Sequence, residues 1–201
     1  MVNFHLLYFA DKTMMLEEIE KTIKILQSGG IILYPTDTIW GIGCDPTNQK
    51  AVDKIYRVKK RIEGKSLLVL VDTVERLSTY VDKLNPVIID LVKNYERPLT
   101  VIYPNAKNVA KGVSAADNTI GIRIVNDEFC RELIRNFGKA IVSTSANVSG
   151  DPSPVIFQQI SREIKDNVDY VVNLYQDRIR SMKPSRIIRA KENGDFEIVR
   201  A

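Results

Sequence analysis

The sequence predicts an α/β protein: an open, twisted, mixed sheet with flanking helices, in a single domain over residues 1–201. Three observations predict it. Stretches with helical apolar period alternate with short apolar runs along the chain. One of those runs, "SLLVLV" at 66–71, is continuously apolar, as in a strand covered on both faces. "ENGD" at 192–195 separates two strand-like segments as a hairpin turn does, so the sheet is not wholly parallel.

The elements follow in order. Residues 13–30 carry Met15, Leu16, Ile19, Ile23, Ile25 and Leu26 close to a helical period, and Gly29 and Gly30 stop the helix. "IILY" at 31–34 is a strand. Residues 48–61 form a helix, with Asn48 as N-cap and Ala51, Val52, Ile55, Tyr56 and Val58 on one side. The strand "SLLVLV" comes next, then helices over 74–80 and 85–95 and strands over 99–103 and 119–125. In the last of these Ile120, Ile122 and Ile124 alternate with Gly121, Arg123 and Val125. A helix over 127–138 ends at Gly138. A strand at 139–144, a helix at 156–166 and strands at 169–175, 185–190 and 196–200 complete the chain.

The bulk properties exclude several classes. Hydrophobic residues are 44% and charged residues 27%, ordinary for a globular chain. At this length folding buries roughly 70% of the unfolded surface, enough for a core without covalent staples. Cys44 and Cys130 are read as free, buried thiols in a reducing compartment. The N-terminus lacks the pattern of a signal peptide, and no apolar run reaches the ~18 residues of a membrane span, so a cytoplasmic protein is expected. The net charge of +4 is mildly basic, compatible with an RNA or nucleotide partner. His5 is the one histidine, read as an edge or surface residue, which disfavours a Ser-His-Asp triad; zinc ligands are lacking. The aromatics do not form the stacking pattern of an RNA-recognition sheet.

Three stretches are unusual. "YPTDTIWGIGCDPTN" at 34–48 sets Thr36, Asp37 and Thr38 after a strand, then Gly41 and Gly43. It reads either as a turn with bulge glycines or as a loop that lets a ligand approach the backbone. "KKR" at 59–61 reads either as a solvated helix end or as an anion cradle; Lys59 and Arg61 converge only if the helix ends near Lys60. "STSANVSGDPSP" at 143–154 empties a core strand into hydroxyls, and reads either as a site floor or as a Ser-rich loop and cap. Hydroxyls, amides and cations together suit positioning and charge stabilisation of a nucleotide.

Taken together and in this order, the motifs resemble the YrdC-type family of threonylcarbamoyl-adenylate synthases, from about residue 17 to the end. "YPTDTIWGIG" is similar to the family's YPTDTVYGLG. "IYRVKKR" carries its K-x-R at Lys59 and Arg61, Pro98-Leu99-Thr100 its PLT, "TIGIR" its TVGVR, and "STSANVSGDP" its STSANxSGxP. The resemblance implies a YrdC/RibB-like fold around a basic cavity. It implies a nucleotidyltransferase that joins L-threonine, bicarbonate and ATP into threonylcarbamoyl-AMP with release of pyrophosphate, with Mg2+ as companion. The product serves modification of the tRNA adenosine beside the anticodon, so tRNA, double-stranded RNA and tRNA-modification proteins are implied partners. Residue by residue, it assigns Lys59 and Arg61 to catalysis and, with Thr119, Ser145, Asn147, Ser153, Ser185 and Arg200, to ATP. Thr36, Thr38, Arg123 and Ser143 are assigned to threonine, Ser149 matches the STSANxSGxP motif without an assigned ligand, and no residue is assigned to a metal.

The chain departs from the family pattern. Ile62, Lys65 and Ser66 stand where Pro and NPL are usual, and Leu70 replaces a histidine. Glu96 and Arg97 enter the WPGPLT segment, and "PSRIIR" puts Arg186 and Arg189 in place of Thr and Asp. These changes touch the entrance and the amino-acid end more than the K-x-R and S-x-N pair. The alternative expectation is a paralogue of the same fold that binds RNA or a nucleotide, such as ribosome-associated double-stranded RNA, without turnover.

Overall fold

The computed structural model describes residues 4–62, 64–178, 184–191 and 193–201, with 4–10 described by backbone alone; the side chain of His5 lies outside the description. Helix α1 (Phe4–Gln27) begins well before residue 13. Met15, Ile19, Thr22 and Leu26 bury one stripe of it. It ends in a Schellman motif: Gly29 is left-handed, at φ +80°, its N–H bonds Leu26 O, and Gly30 N–H bonds Ile25 O. Strands β1 (Ile32–Tyr34) and β2 (Gly41–Gly43) follow. Helix α2 (Gln49–Val58) is capped by Asn48, whose side chain accepts from Ala51 N. Strand β3 (Leu68–Val71), helices α3 (Val74–Leu77) and α4 (Pro86–Asn94), and strands β4 (Leu99–Tyr103) and β5 (Ile120–Ile124) come next. Helix α5 (Glu128–Phe137) runs from its Asp127 cap to left-handed Gly138. Strand β6 (Ile141–Ser145), helix α6 (Arg162–Lys165) and strands β7 (Tyr170–Val171), β8 (Arg186–Ala190) and β9 (Phe196–Arg200) finish the chain.

Among the described residues these strands form one mixed sheet in the order β7-β1-β2-β6-β3-β5-β4-β8-β9. The pairs β7–β1, β3–β5 and β4–β8 are parallel and the rest antiparallel. The terminal hairpin forms as expected, with Lys191 N–H bonding Asp195 O and Gly194 at φ +90°. Neither Cys44 nor Cys130 is in a disulfide, and both are buried. No helix among the described residues is long and apolar enough to cross a membrane.

Three expectations are corrected. The glycines at 41 and 43 build a strand rather than a turn: β2 lies between β1 and β6. The helix expected over 156–166 divides into a 3-10 turn at Phe157–Gln159 and the short α6, because Ser161 adopts an extended conformation and caps Ile164 N. The strand expected over 169–175 pairs only at Tyr170–Val171; after Val172 N–H reaches Leu33 O, left-handed Tyr175 (φ +56°) turns the chain away.

Period-two alternation gives the sheet two unlike faces. Leu33, Ile42, Val69, Val71, Val101, Ile122, Val142 and Ile188 pack on one face with residues of α2, α3 and α4. On the other, Ile32, Tyr34, Leu70 and Ile141 pack with α1 and α5. Those two helices cover β1 and β7 and, at Ile141 and Leu70, one end of β6 and β3. The rest stays open, and the strands present it with Gly41, Gly121, Ser143, Thr100 and Arg123 beside Leu68 and Ile102.

Gly43 is an exacting point in this arrangement. A Cβ there would lie 2.6 Å from Val142 O and 2.7 Å from Tyr34 Cε1, inside backbone and a buried ring. Gly43→Ala should destabilise the protein by about 1–3 kcal/mol through overpacking, read as a lower urea midpoint at unchanged slope.

Candidate functional site

The open part of the second face is the floor of a cavity of about 730 Å³. Register brings Ser143, Leu68, Gly121 and Ile102 side by side across β6, β3, β5 and β4. Arg123 and Thr100 form the next row, opposite Ile187 of β8. Gly41 of β2 pairs with Ser145, and a Cβ on it would stand 3.0 Å from Ser143 Oγ. The absence of that side chain keeps the floor deep.

Of the expected site residues, Thr36, Thr38, Arg61, Thr119, Arg123, Ser143, Ser145, Ser153, Ser185 and Arg200 line this cavity, whereas Lys59 and Asn147 are not among its lining residues. The "KKR" triplet sends its three cations to three environments. Helix α2 stops at Val58, and Lys60 takes a left-handed conformation at φ +48°. Lys60 points outward and pairs with Glu163 at 2.7 Å. Arg61 turns to the cavity, its Nε donating to Lys65 O (3.0 Å) and its Nη2 to Ser66 O (2.8 Å). Lys59 is 1% exposed, and its ammonium donates to Ser145 O (2.5 Å) and Asn147 O (2.6 Å) while Ser149 N–H donates to Lys59 O. Lys59 therefore staples the end of α2 to the S-x-N loop. Burial, then the nearby Arg61 charge, lowers its ammonium to about 8. Beside it, Asn147 Nδ2 donates to Val148 O and Asp151 O, and Asn147 Oδ1 and Ser149 Oγ are buried without a hydrogen-bond partner.

The other polar groups are held just as specifically. Thr36 Oγ1 donates to Ile39 O (2.7 Å), accepts from Thr38 N–H and lies 3.0 Å from Thr38 Oγ1, which fixes both hydroxyls at the cavity wall. Thr119 N–H and Oγ1 donate to Asp117, which also meets Arg189 at 3.5 Å. The Thr119 bonds, ahead of Arg189, hold the Asp117 carboxyl below its ordinary value. Ser185 Oγ is 2.8 Å from Thr100 Oγ1, and Ser185 O accepts from Nε and Nη2 of Arg200. Burial, then the charge of Arg123, lowers the Arg200 guanidinium. Arg123 is 2% exposed; its Nη2 lies 2.9 Å from Asp37 Oδ1. Among the described residues the lining carries Arg61, Arg123, Arg189 and Arg200 against the single carboxylate of Asp117. Such a wall attracts polyanions, and guanidinium forks match phosphate and carboxylate oxygens.

Sequence reasoning did not single out Asp37, Thr100, Trp40 or Asp117 as site residues. Thr100 had a usable signal, since it alternates with Leu99 and Val101 on the strand that opens with "PLT". Trp40 had none: its place depends on Phe157, whose ring centre is 4.8 Å away across more than a hundred residues. Of the departures, Ser66 and Arg189 line the cavity, Leu70 joins the core under α1 and α5, and Glu96 and Arg97 are exposed. Arg186 lies over the Tyr95 ring, 5.7 Å from its centre.

The buried ammonium makes a prediction about stability. The unfolded chain keeps the Lys59 proton to about pH 10.4, whereas the folded chain releases it near 8. Between those values the unfolded state binds more protons, so folding is relieved of a buried charge as pH rises. The unfolding free energy of the wild type relative to Lys59→Met should therefore climb by on the order of 3 kcal/mol from pH 7 to pH 10.5. Paired urea titrations measure it, and a flat difference would place the ammonium in solvent.

Comparison with known proteins agrees with this geometry. The family profile of the Sua5, YciO and YrdC proteins, described as telomere recombination, matches residues 24–201. The threonylcarbamoyl-AMP synthase of Pseudoalteromonas translucida is 33% identical over 158 residues, 77% of this chain and 84% of that protein. The threonylcarbamoyl-AMP synthase of Vibrio campbellii is 31% identical over 179 residues, 88% and 96% of the two chains. Among solved structures, Escherichia coli YciO superposes with a TM-score of 0.78 at 24% identity, covering 90% of this chain and 87% of that one. Sua5 of P. abyssi in complex with L-threonine superposes at 0.78 and 22% identity; this chain, 87% covered, spans about half of it (51%). These structures share the fold, and the chain belongs to the Sua5/YciO/YrdC family.

Proposed function

We propose that the protein is a threonylcarbamoyl-AMP synthase. The observation that carries the reading is the cavity itself, a floor of strand hydroxyls and glycines ringed by Arg61, Arg123, Arg189 and Arg200. The curated relatives that bear this name are 31–33% identical over most of the chain, and support it.

The product's composition dictates the chemistry. The threonine amine adds to the carbon of bicarbonate with loss of water, giving a carbamate. A carbamate oxygen then displaces pyrophosphate from the α-phosphorus of ATP, which makes the enzyme a nucleotidyltransferase. Little of this requires a protein base, and the hydroxyls and guanidinium groups suit orientation and charge stabilisation. In this reading Arg61 takes the leaving phosphates, where two backbone carbonyls have already fixed its plane. Ser145, Ser153, Thr119, Ser185 and Arg200 bind the nucleotide. Lys59 acts through the loop it holds, setting Ser145 and Asn147. Arg123, Ser143, Thr36 and Thr38 bind threonine, with the guanidinium on its carboxylate.

Mg2+ fits as a companion of ATP. Among the described residues no three His, Cys, Asp or Glu side chains gather as a metal cage. Mg2+ is commonly held mainly through substrate phosphates and water, so a cavity that takes a triphosphate without a carboxylate cage fits it. When bound it neutralises phosphate charge. The product carries an activated carbamoyl group, and the tRNA adenosine beside the anticodon is its acceptor in this reading. That role implies the cytoplasm, with tRNA and tRNA-modification proteins as partners.

Purified protein given ATP, Mg2+, bicarbonate and L-threonine should release pyrophosphate and form the mixed anhydride, detected by mass spectrometry, and serine should substitute poorly. Arg61→Ala should lower kcat/KM for ATP by roughly 100-fold or more with the fold intact. ATP binding without pyrophosphate release would instead establish a nucleotide-binding paralogue.

A further inference from the structure

Asp37 lies between Thr36 and Thr38, the two hydroxyls at the cavity wall, yet is not itself among the lining residues. It stands behind Arg123, with its Oδ1 2.9 Å from Nη2, and the two side chains are 12% and 3% exposed. The contact is a charge contact not aligned as a hydrogen bond, and Asp37 Oδ1 accepts no hydrogen bond among the described residues. Arg123 Nε is also buried without a partner. Arg123 nonetheless lines the cavity, so its guanidinium, braced by Asp37, can meet an oxygen that arrives there.

We propose that Asp37 is a positioning residue for substrate recognition: it aims Arg123 at a carboxylate and cancels enough of its charge to keep the polyphosphate of ATP from settling there. The inference rests on the synthase reading, in which Arg123 meets the threonine carboxylate. Two anions must share a cavity whose lining carries four guanidinium groups. An unpaired Arg123 would be one more sink for phosphate. Paired with Asp37, it keeps the directed donors that a carboxylate needs and loses much of the long-range attraction that a triphosphate follows. Arg61, Arg189 and Arg200 make no such buried pair, since Arg61 rests on carbonyls, Arg200 on Ser185 O, and Arg189 on half-exposed carboxylates.

The carboxyl is also set to respond to pH. Burial pushes Asp37 up from its ordinary value, against Arg123, which pulls it down; Asp127 adds a further upward push and the Asn126 backbone opposes it. The other ionisable groups about it are Tyr34 and Cys130, both buried and both pushed well up, so they stay neutral. Protonating Asp37 releases Arg123 from its pair.

The test is L-threonine binding to the full chain by calorimetry, without ATP or bicarbonate. For the wild type, the Kd should rise as pH falls from about 7 to about 4, because the amino acid's own carboxylate and ammonium keep their charges over that range. Asp37→Asn should weaken threonine roughly tenfold at pH 7 and flatten the pH dependence. In the same variant, ATP should begin to compete with threonine, while its own Kd stays within about twofold. Unchanged threonine affinity in a folded Asp37→Asn, or equal losses for ATP and threonine, would overturn the proposal. If that variant does not fold, the wild-type pH series decides: a Kd level across the range overturns it. A wild type that binds no threonine at any pH would sink the synthase reading instead.

Discussion

Everything at the cavity depends on strand alternation held in register across five neighbouring strands. Each strand that sends Val or Ile into the core beneath α2, α3 and α4 must turn its intervening residues the other way. Those are Gly41, Ser143, Leu68, Gly121 with Arg123, and Thr100 with Ile102. A one-residue slip of β4, β5 or β6 would put Thr100, Arg123 or Ser143 into the core and a β-branched side chain on the floor. The hydrophobic core therefore fixes the chemistry of the cavity, because burial of one face dictates the address of every residue on the other.

Two cations are buried beside this floor, and the protein compensates them differently. Lys59 meets backbone carbonyls, which keep their dipoles at any pH, so the staple to the S-x-N loop tolerates changes of protonation nearby. Arg123 meets a carboxylate whose own charge is disfavoured by burial. Burying either ion alone would cost several kcal/mol. A permanent partner suits a residue that shapes a loop, and a responsive partner suits a residue that handles a substrate.

The fold was legible where local rules act alone. Helices α2 and α5 carry sequence-encoded caps, Asn48 and Asp127, and apolar stripes that match their buried sides. The buried run of β3 and the terminal hairpin were legible for the same reason. Strand β2 was not, because glycine reads as turn chemistry and its need arises from Val142 O and Tyr34 on neighbouring strands. The site was legible as motifs, and most residues named from them line one cavity. The roles inside a motif were not. "KKR" gives no hint that its first lysine turns inward, its second outward and its arginine to the cavity. A single left-handed residue, Lys60, makes that division, and nothing in its side chain demands that conformation.

The charge asymmetry of the lining also constrains how ligands can lie. Asp117 is the one lining carboxylate among the described residues, and it is kept ionised by Thr119 and Arg189 at one wall. A triphosphate is repelled by an ionised carboxylate unless a metal ion or a guanidinium stands between them. In the proposed synthase its phosphate end therefore lies toward Arg61 and the S-x-N loop. The part of a nucleotide that donates hydrogen bonds without carrying charge can approach Asp117, where Ala115, Ala116 and Ile102 supply apolar surface. In the proposed synthase the same asymmetry leaves Arg123, paired with Asp37, for the smaller anion. Discrimination between two anionic substrates in one basic cavity thus follows from where the acids stand, since the arginines alone attract both.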